Sequence, residues 1–353
     1  MIAPLADASP GDAPLVDQHG RSIAYLRVSV TDRCNFRCVY CMPAAGLPWL
    51  PRADVLTDGE VVATVAELAP LGLRRVRLTG GEPTIRPGFE ALVGRLAALK
   101  RVGLEELSLS TNGVKFCQDA GYAARLAAAG LDRVNLSADS LRPERVRALA
   151  RRDLGFDARV AAGRAEAAGL GPVKLNVVVV RGVNDDEVGD FARLTLERPW
   201  HVRFIELMPV GELAELSATE AYGGDVLGRV VPSEEVLERA ADAVGGLEAL
   251  GAGRLRGNGP AAYYAAPGAA GTVGVITPMT HTYCASCNRV RLTADGRLRT
   301  CLYGDHEVDL RGPLRRGEAL APHVRRALEG KPLQHELLQL RVGGLRALSQ
   351  VGG

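Results

Sequence analysis

Six of the seven cysteines fall into two groups of three. Cys34, Cys38 and Cys41 stand at CxxxCxxC spacing within VTDRCNFRCVYCMP. Cys284, Cys287 and Cys301 stand at CxxC-x13-C spacing within CASCNRVRLTADGRLRTC. Thiolates in such groups bind zinc or iron–sulfur clusters. A closed structural zinc site takes four ligands, and His281 or His306 could complete one in the second group. A four-iron cluster held by three cysteines keeps one iron open to a small molecule. The seventh cysteine, Cys117, lies in a helical pattern and reads as a small buried hydrophobe.

Arg289 and Arg291 follow Cys287 at alternate positions. An extended segment would project both to one side. A pair of guanidiniums suits a phosphate or a purine edge. Lysine is scarce: of 43 basic residues, only Lys100, Lys115, Lys174 and Lys331 are lysines. A lysine in an unusual setting therefore stands out.

Short apolar runs alternate with amphipathic segments over the first 210 residues. The candidate strands are LRVSV (26–30), RRVRL (74–78), ELSLS (106–110), RVNLS (133–137), VKLNVVVV (173–180) and HVRFIE (201–206). This βα rhythm predicts an α/β fold, an incomplete (β/α)6 barrel of the TIM type. A smaller C-terminal domain would close the barrel opening. Strands buried on both faces should be almost continuously hydrophobic, yet several alternate. Arg27 with Ser29, Arg75 with Arg77 and Thr79, Asn135 with Ser137, and Lys174 with Asn176 each share a face. The side-chain period of two predicts that they converge on a polar, charged interior. Residues 1–20 read as a flexible tail, 21–210 as the partial barrel, and 211–353 as the C-terminal domain.

Net charge is +2 and aromatic residues make up 5% of the chain. Neither suggests a nucleic-acid-binding surface. No apolar run reaches the length of a membrane span, and the N-terminus lacks the features of a signal peptide. A cytoplasmic chain with reduced cysteines is expected.

CNFRCVYC is similar to the signature of radical S-adenosylmethionine enzymes, with Tyr40 before the last cysteine. LTGGEP after the second strand is similar to that family's glycine-rich motif. The whole pattern resembles the GTP 3′,8-cyclase family, which opens molybdenum cofactor biosynthesis. The resemblance runs from GRSIAYLRVSVTDRCNFRCVYCMP through RLTGGEPTIR, STNG, VNLSADSL, VKLNVVVVRGVND and FIELMPVG to the second triad and Gly352–Gly353. Ala138 stands where the family usually has leucine.

The resemblance implies two [4Fe–4S] clusters and S-adenosylmethionine as cofactors. Cys34, Cys38 and Cys41 would hold the reducing cluster. Tyr40, Gly81, Glu82, Ser137 and Met208 would contact S-adenosylmethionine. Cys284, Cys287 and Cys301 would hold a second cluster whose open iron meets the guanine ring. Arg27, Arg77, Thr111, Lys174, Arg289, Val290 and Arg291 would surround GTP, with Ser110 as an alternative to Thr111. Arg27, Lys174, Arg289, Arg291, Gly352 and Gly353 would serve catalysis, the two glycines by entering the site as bare backbone. A 5′-deoxyadenosyl radical would take the C3′ hydrogen of GTP. Expected partners are an electron donor such as flavodoxin or ferredoxin and the downstream cyclic pyranopterin monophosphate synthase, with a homodimer as an option. Two rival readings are a peptide-modifying radical enzyme and a non-catalytic zinc- or RNA-binding protein. The first would carry more cysteines than the leftover Cys117 supplies.

Overall fold

The computed structural model describes residues 13–208, 227–251, 259–335 and 346–352. Six parallel strands run in chain order: β1 (Tyr25–Ser29), β2 (Arg75–Thr79), β3 (Glu106–Thr111), β4 (Arg133–Ser137), β5 (Lys174–Val179) and β6 (His201–Glu206). Each lies within two residues of its expected place. The connections carry helices α1 (Asp58–Leu68), α2 (Phe89–Ala97), α3 (Val114–Gln118), α4 (Tyr122–Ala128), α5 (Pro143–Ala150), α6 (Ala158–Ala167) and α7 (Val188–Glu197). Local chemistry sets several starts. Thr57 and Glu60 form a capping box at α1, and the Asp157 carboxylate accepts from two backbone N–H groups at α6. Both satisfy donors that the first helical turn leaves open.

One strand face is apolar and meets the helices. Leu26, Val28, Val76, Leu78, Leu107, Leu109, Val134 and Leu136 are fully buried there. The opposite face is polar, and its residues are in register across the sheet. Arg27 stands beside Arg77 on one side and Arg291 on the other. Asn135 stands beside Lys174, and Lys174 beside His201. The alternation in the sequence thus reports a sheet with one packed face and one face lining an interior.

The fold is the expected partial barrel, with its sheet left open. The C-terminal residues do more than cover an opening. After α8 (Ser233–Val244) they supply β7 (Glu248–Ala249), β8 (Ala262–Ala265), β9 (Thr272–Ile276), β10 (Arg289–Leu292), β11 (Arg297–Arg299) and β12 (Glu307–Asp309). β9 pairs in parallel with β6, and β10 pairs in parallel with β1. The twelve strands form one sheet. The edges of the six-stranded core would otherwise present unpaired backbone groups. The expected domain boundary near 210 falls outside the described residues. Helices α9 (Arg311–Arg315), α10 (Ala321–Glu329) and α11 (Leu348–Val351) complete the described chain. Among the described residues, no helix is long and apolar enough to cross a membrane.

The chain departs from a loose tail before residue 20. Leu15 is 2% exposed. Its N–H donates to the Leu71 carbonyl, and its own carbonyl accepts from Ile23. The Asp17 carboxylate accepts from the backbone of His19 and Arg21 and from Arg21 Nε at 2.6 Å. Two apolar residues eight apart were too sparse to signal this folded-back turn. Leu15→Ala should cost about 2–5 kcal/mol through lost burial and a cavity. A fall in thermal midpoint would register it, and an unchanged midpoint would mean that the segment adds nothing to stability.

Candidate active site

The first triad sits on the loop that leaves β1 at its C-terminal end. That loop is tied to the end of α5 and braced within itself. Arg37 N donates to Ala150 O and Val39 N to Leu149 O, at the end of α5. Arg37 Nη1 donates to the Cys34 carbonyl at 2.6 Å, and Cys41 N donates to Cys38 O at 2.9 Å. All three thiols line one cavity, together with Tyr40, Gly81 and Ser137.

The GGEP turn after β2 positions this loop through backbone contact. Gly81 N donates to Thr31 O at 2.8 Å, and Glu82 N donates to Arg33 O at 2.7 Å. Gly80 has φ of +151°, and a Cβ at Gly81 would overlap the Arg33 carbonyl. Glycine is therefore required here by the approach of the chain's own Asp32–Arg33 backbone. Glu82 is buried and accepts from Thr84 N, Thr84 Oγ1, Thr111 Oγ1 and Asn112 N. Burial pushes its carboxyl up, against these hydrogen bonds. Three of the four bonds fall on Oε1, which leaves spare acceptor capacity on Oε2. Thr111, expected at GTP, gives its hydroxyl to Glu82 and accepts from Gly113 N. Ser110 shares the polar strand face instead, beside the Asn135 amide.

Tyr40 donates its hydroxyl to Asp139 Oδ2 at 2.5 Å. Burial raises the Asp139 carboxyl to about 6, and the Tyr40 phenol also lies well above its usual value. Asp139 Oδ1 accepts from Val178 N, so the pair is fixed to β5. Ser137 is exposed to the cavity at the end of β4. Met208 Sδ accepts from Tyr303 OH at 2.7 Å.

Burial pushes the Cys34 thiol to about 12 and the Cys41 thiol to about 11, with Cys38 also well above the usual range. The Cys41 sulfur receives hydrogen bonds from the backbone and side chain of Ser349 on α11. Iron must displace these thiol protons to bind, so loading releases protons. Among the described residues, no three His, Cys, Asp or Glu side chains are grouped to hold a single metal ion. Three thiols on one cavity match the donor set of a four-iron cluster, whose ligands spread over separate irons.

The interior face carries a concentration of cations. Arg27, Arg77, Lys174, Arg289 and Arg291 were expected there. Arg133 and Arg203 join them, both buried, on the same faces of β4 and β6. Glu106 pairs with Arg133 at 2.5 Å. Burial, then repulsion from Arg203, Arg133 and Arg77, pulls the Lys174 ammonium down to about 6. Burial is the main reason that Arg77 lies lowered, at about 10. Burial, then Arg291 and Arg77, lowers Arg27. This much confined like charge calls for an anion.

The second triad lies beyond the other end of this row. A tight turn spans Cys284–Ser286, and Cys287 N donates to Cys284 O. Cys301 follows β11. Burial raises the Cys284 thiol, while Lys331 and Arg289 outweigh burial at Cys287 and lower it. His281 is exposed and faces Glu234, 3.5 Å away. Val290 is buried in the ladder beside Leu26. Arg289 lies over the Tyr283 ring at 5.1 Å. Arg291 donates to the carbonyls of Val351 and Gly352. Gly352 has φ of +69°, and a Cβ there would stand 2.5 Å from Thr79 Cγ2. Gly353 lies outside the described residues.

Gly81→Ala should displace the Arg33 backbone and with it the first cysteine loop. Iron in the reconstituted protein should fall from roughly eight to roughly four per chain, since the second triad is untouched. Full iron content in this variant would show that the loop tolerates the added methyl.

Residues 28–195 match the Radical SAM superfamily, and residues 200–337 match Molybdenum Cofactor Synthesis C. A GTP 3′,8-cyclase of Heliobacterium modesticaldum is 48% identical over 345 residues, covering 96% of this chain and 100% of that one. The GTP 3′,8-cyclase of Moorella thermoacetica is 46% identical over 340 residues, covering 96% and 99%. The structure of Streptococcus suis SuiB bound to S-adenosylmethionine aligns with a TM-score of 0.55 at 11% identity. That alignment covers 94% of this chain and 66% of the other, and it speaks to the fold alone. With the cysteine triads, the glycine turn and near-complete coverage by these relatives, the chain belongs to the GTP 3′,8-cyclase family of radical S-adenosylmethionine enzymes.

Proposed function

We propose that this enzyme converts GTP to 3′,8-cyclo-7,8-dihydro-GTP, the first step of molybdenum cofactor biosynthesis. The observation that carries the reading is the in-register cationic face between two cysteine triads. A triphosphate brings about four negative charges near neutral pH, and such charge needs paired cations in a dry site. The cluster that the first triad would hold, by giving one electron to S-adenosylmethionine, would supply the 5′-deoxyadenosyl radical that takes the C3′ hydrogen.

The chain's own residues supply place and exclusion. Tyr40, Gly81, Ser137 and Met208 border the S-adenosylmethionine side, and Glu82 Oε2 keeps capacity to accept from its amino group. Arg27, Arg77, Lys174, Arg203 and Arg289 would hold the phosphates and ribose. Arg291 would fix the C-terminal backbone, so that Gly352 and Gly353 approach the substrate as bare peptide. Ser110 suits a polar contact better than Thr111, whose hydroxyl is already used. The second cluster would meet the guanine ring. A small redox protein such as flavodoxin or ferredoxin would supply electrons in the cytoplasm, where the cysteines stay reduced.

Anaerobic incubation with GTP, S-adenosylmethionine and a reductant, followed by mass analysis, tests the reading. The expected products are 5′-deoxyadenosine and an isomer-mass dihydro nucleotide derived from GTP. Deoxyadenosine without a GTP-derived product would favour the peptide-modifying alternative. Cys38→Ala should abolish cofactor cleavage, whereas Cys287→Ala should keep some cleavage and lose cyclisation. Equal residual cyclisation in the two variants would sink this division of labour.

Lys174 gives a pH prediction. Held at about 6, its amine is largely neutral at pH 7.5. A bound triphosphate favours the charged form, so binding should take up a proton. Uptake should approach one proton per GTP near pH 8, fall to about half a proton near pH 6 and vanish below it, where the amine is already charged. In the free protein the same shift makes stability rise with pH above about 6, because the unfolded chain binds the extra proton. Calorimetry in buffers of different ionisation enthalpy reads the uptake. A Lys174→Met variant with the same uptake would assign the proton elsewhere.

A further inference from the structure

Lys331 is one of four lysines, and it is 2% exposed. Its Nζ donates to Thr300 O at 2.5 Å and Arg289 O at 3.0 Å, and reaches Cys287 Sγ at 3.5 Å. These contacts use all three ammonium hydrogens. Two of the acceptors are neutral carbonyls. Among the described residues, Lys331 forms no ion pair with a carboxylate, whereas Lys100 has Asp132 at 2.6 Å. A buried cation needs a compensating anion, and the Cys287 thiolate is the only acceptor of the three that can supply one.

The contacts bracket the second triad. Thr300 immediately precedes Cys301, and Arg289 lies two residues beyond Cys287. Four residues on from Lys331, the His335 backbone hydrogen-bonds to the Cys284 sulfur. The 331–335 stretch therefore feeds donors to two of the three sulfurs. The stretch is held from the N-terminal side. Gln18 Nε2 donates to Lys331 O at 3.0 Å, and His19 Nε2 lies 3.2 Å from the same oxygen. Arg21 donates to the carbonyls of Pro332, Leu333 and Cys284.

We propose that Lys331 is a positioning residue for the second cluster: its ammonium holds the Cys287 sulfur and the backbone beside Cys301, and its charge balances the anionic three-thiolate centre. Three thiolates on a [4Fe–4S] core leave net negative charge, and reduction adds one more. A cation donating to a ligand sulfur stabilises the reduced form and raises the potential. The proposal rests on the assignment of a cluster to this triad.

Lys331→Met keeps the packed stem and removes charge and donors, while Lys331→Gln keeps a donor without charge. Both are reconstituted in the full chain beside the parent, and each cluster's potential is followed by EPR-monitored titration. In Lys331→Met, the second cluster should shift to lower potential and lose iron to a chelator several-fold faster, with the first cluster unchanged. Lys331→Gln should recover much of the iron retention but keep the lowered potential. If Lys331→Met does not fold, Lys331→Gln carries the comparison of potentials. Unchanged potential and iron loss in the folded variants would overturn the proposal. Lower stability of the iron-free variant with an unshifted potential would also overturn it, by reducing Lys331 to packing. Absence of a second cluster from the parent protein would overturn the cluster assignment itself.

Discussion

Repulsion among buried cations is the constraint that the rest of the structure accommodates. Arg27, Arg77, Arg133, Lys174 and Arg203 share one sheet face, with Glu106 as a close carboxylate partner of Arg133. In a low-dielectric interior such charges oppose folding. The opposite face answers with continuous apolar packing by Leu26, Val76, Leu107, Val134 and their neighbours. The strands thus split their duties residue by residue. In β1 the odd positions carry Tyr25, Arg27 and Ser29 on the polar face, and the even positions bury Leu26 and Val28 on the other. The cost is recovered in function when a polyanion enters, because binding relieves repulsion already built into the free protein.

The two triads depend on segments remote in sequence. At the first, the GGEP turn lies against Thr31–Arg33, and Ser349 from the C-terminal helix reaches Cys41. At the second, Lys331 and the His335 backbone reach Cys287 and Cys284. Arg291 joins the systems: it sits on β10 among the cations and holds the Val351 and Gly352 carbonyls near Thr79. The C-terminal stretch therefore touches both cysteine groups and the charged face.

What the sequence could disclose follows the range of each interaction. Period-two alternation is local, so Arg27, Arg77 and Lys174 were legible as inward-facing. Arg133 was equally available by the same rule, two residues before Asn135, and its helix-to-strand position disguised it as a solvated end. Arg203 was harder, since the apolar Ile205 shares its strand face and interrupts the polar alternation. The six parallel strands were legible for the same local reason. The joining of β9 to β6 and β10 to β1 was not, because it requires partners some seventy or more residues away. Asp139 and Ser349 carry no local mark; Tyr40 and Asp139 are 99 residues apart. Thr111 and Ser110 differ only in strand face, and the Glu82 contact decides which hydroxyl stays available.

The same range argument bears on assembly. Leu15, Asp17 and Arg21 fold the N-terminal stretch onto Leu71 and the 331–335 segment. β10 cannot pair with β1 until residues near 290 exist, and Ser349 cannot reach Cys41 until the chain is nearly complete. Both cysteine groups therefore gain their full hydrogen-bonding surroundings late. Contacts of such large sequence separation carry a high loop-closure cost. Binding energy from iron and sulfur, available only once the thiols are gathered, can offset that cost. Metal loading and closure of the sheet edges would thus favour each other.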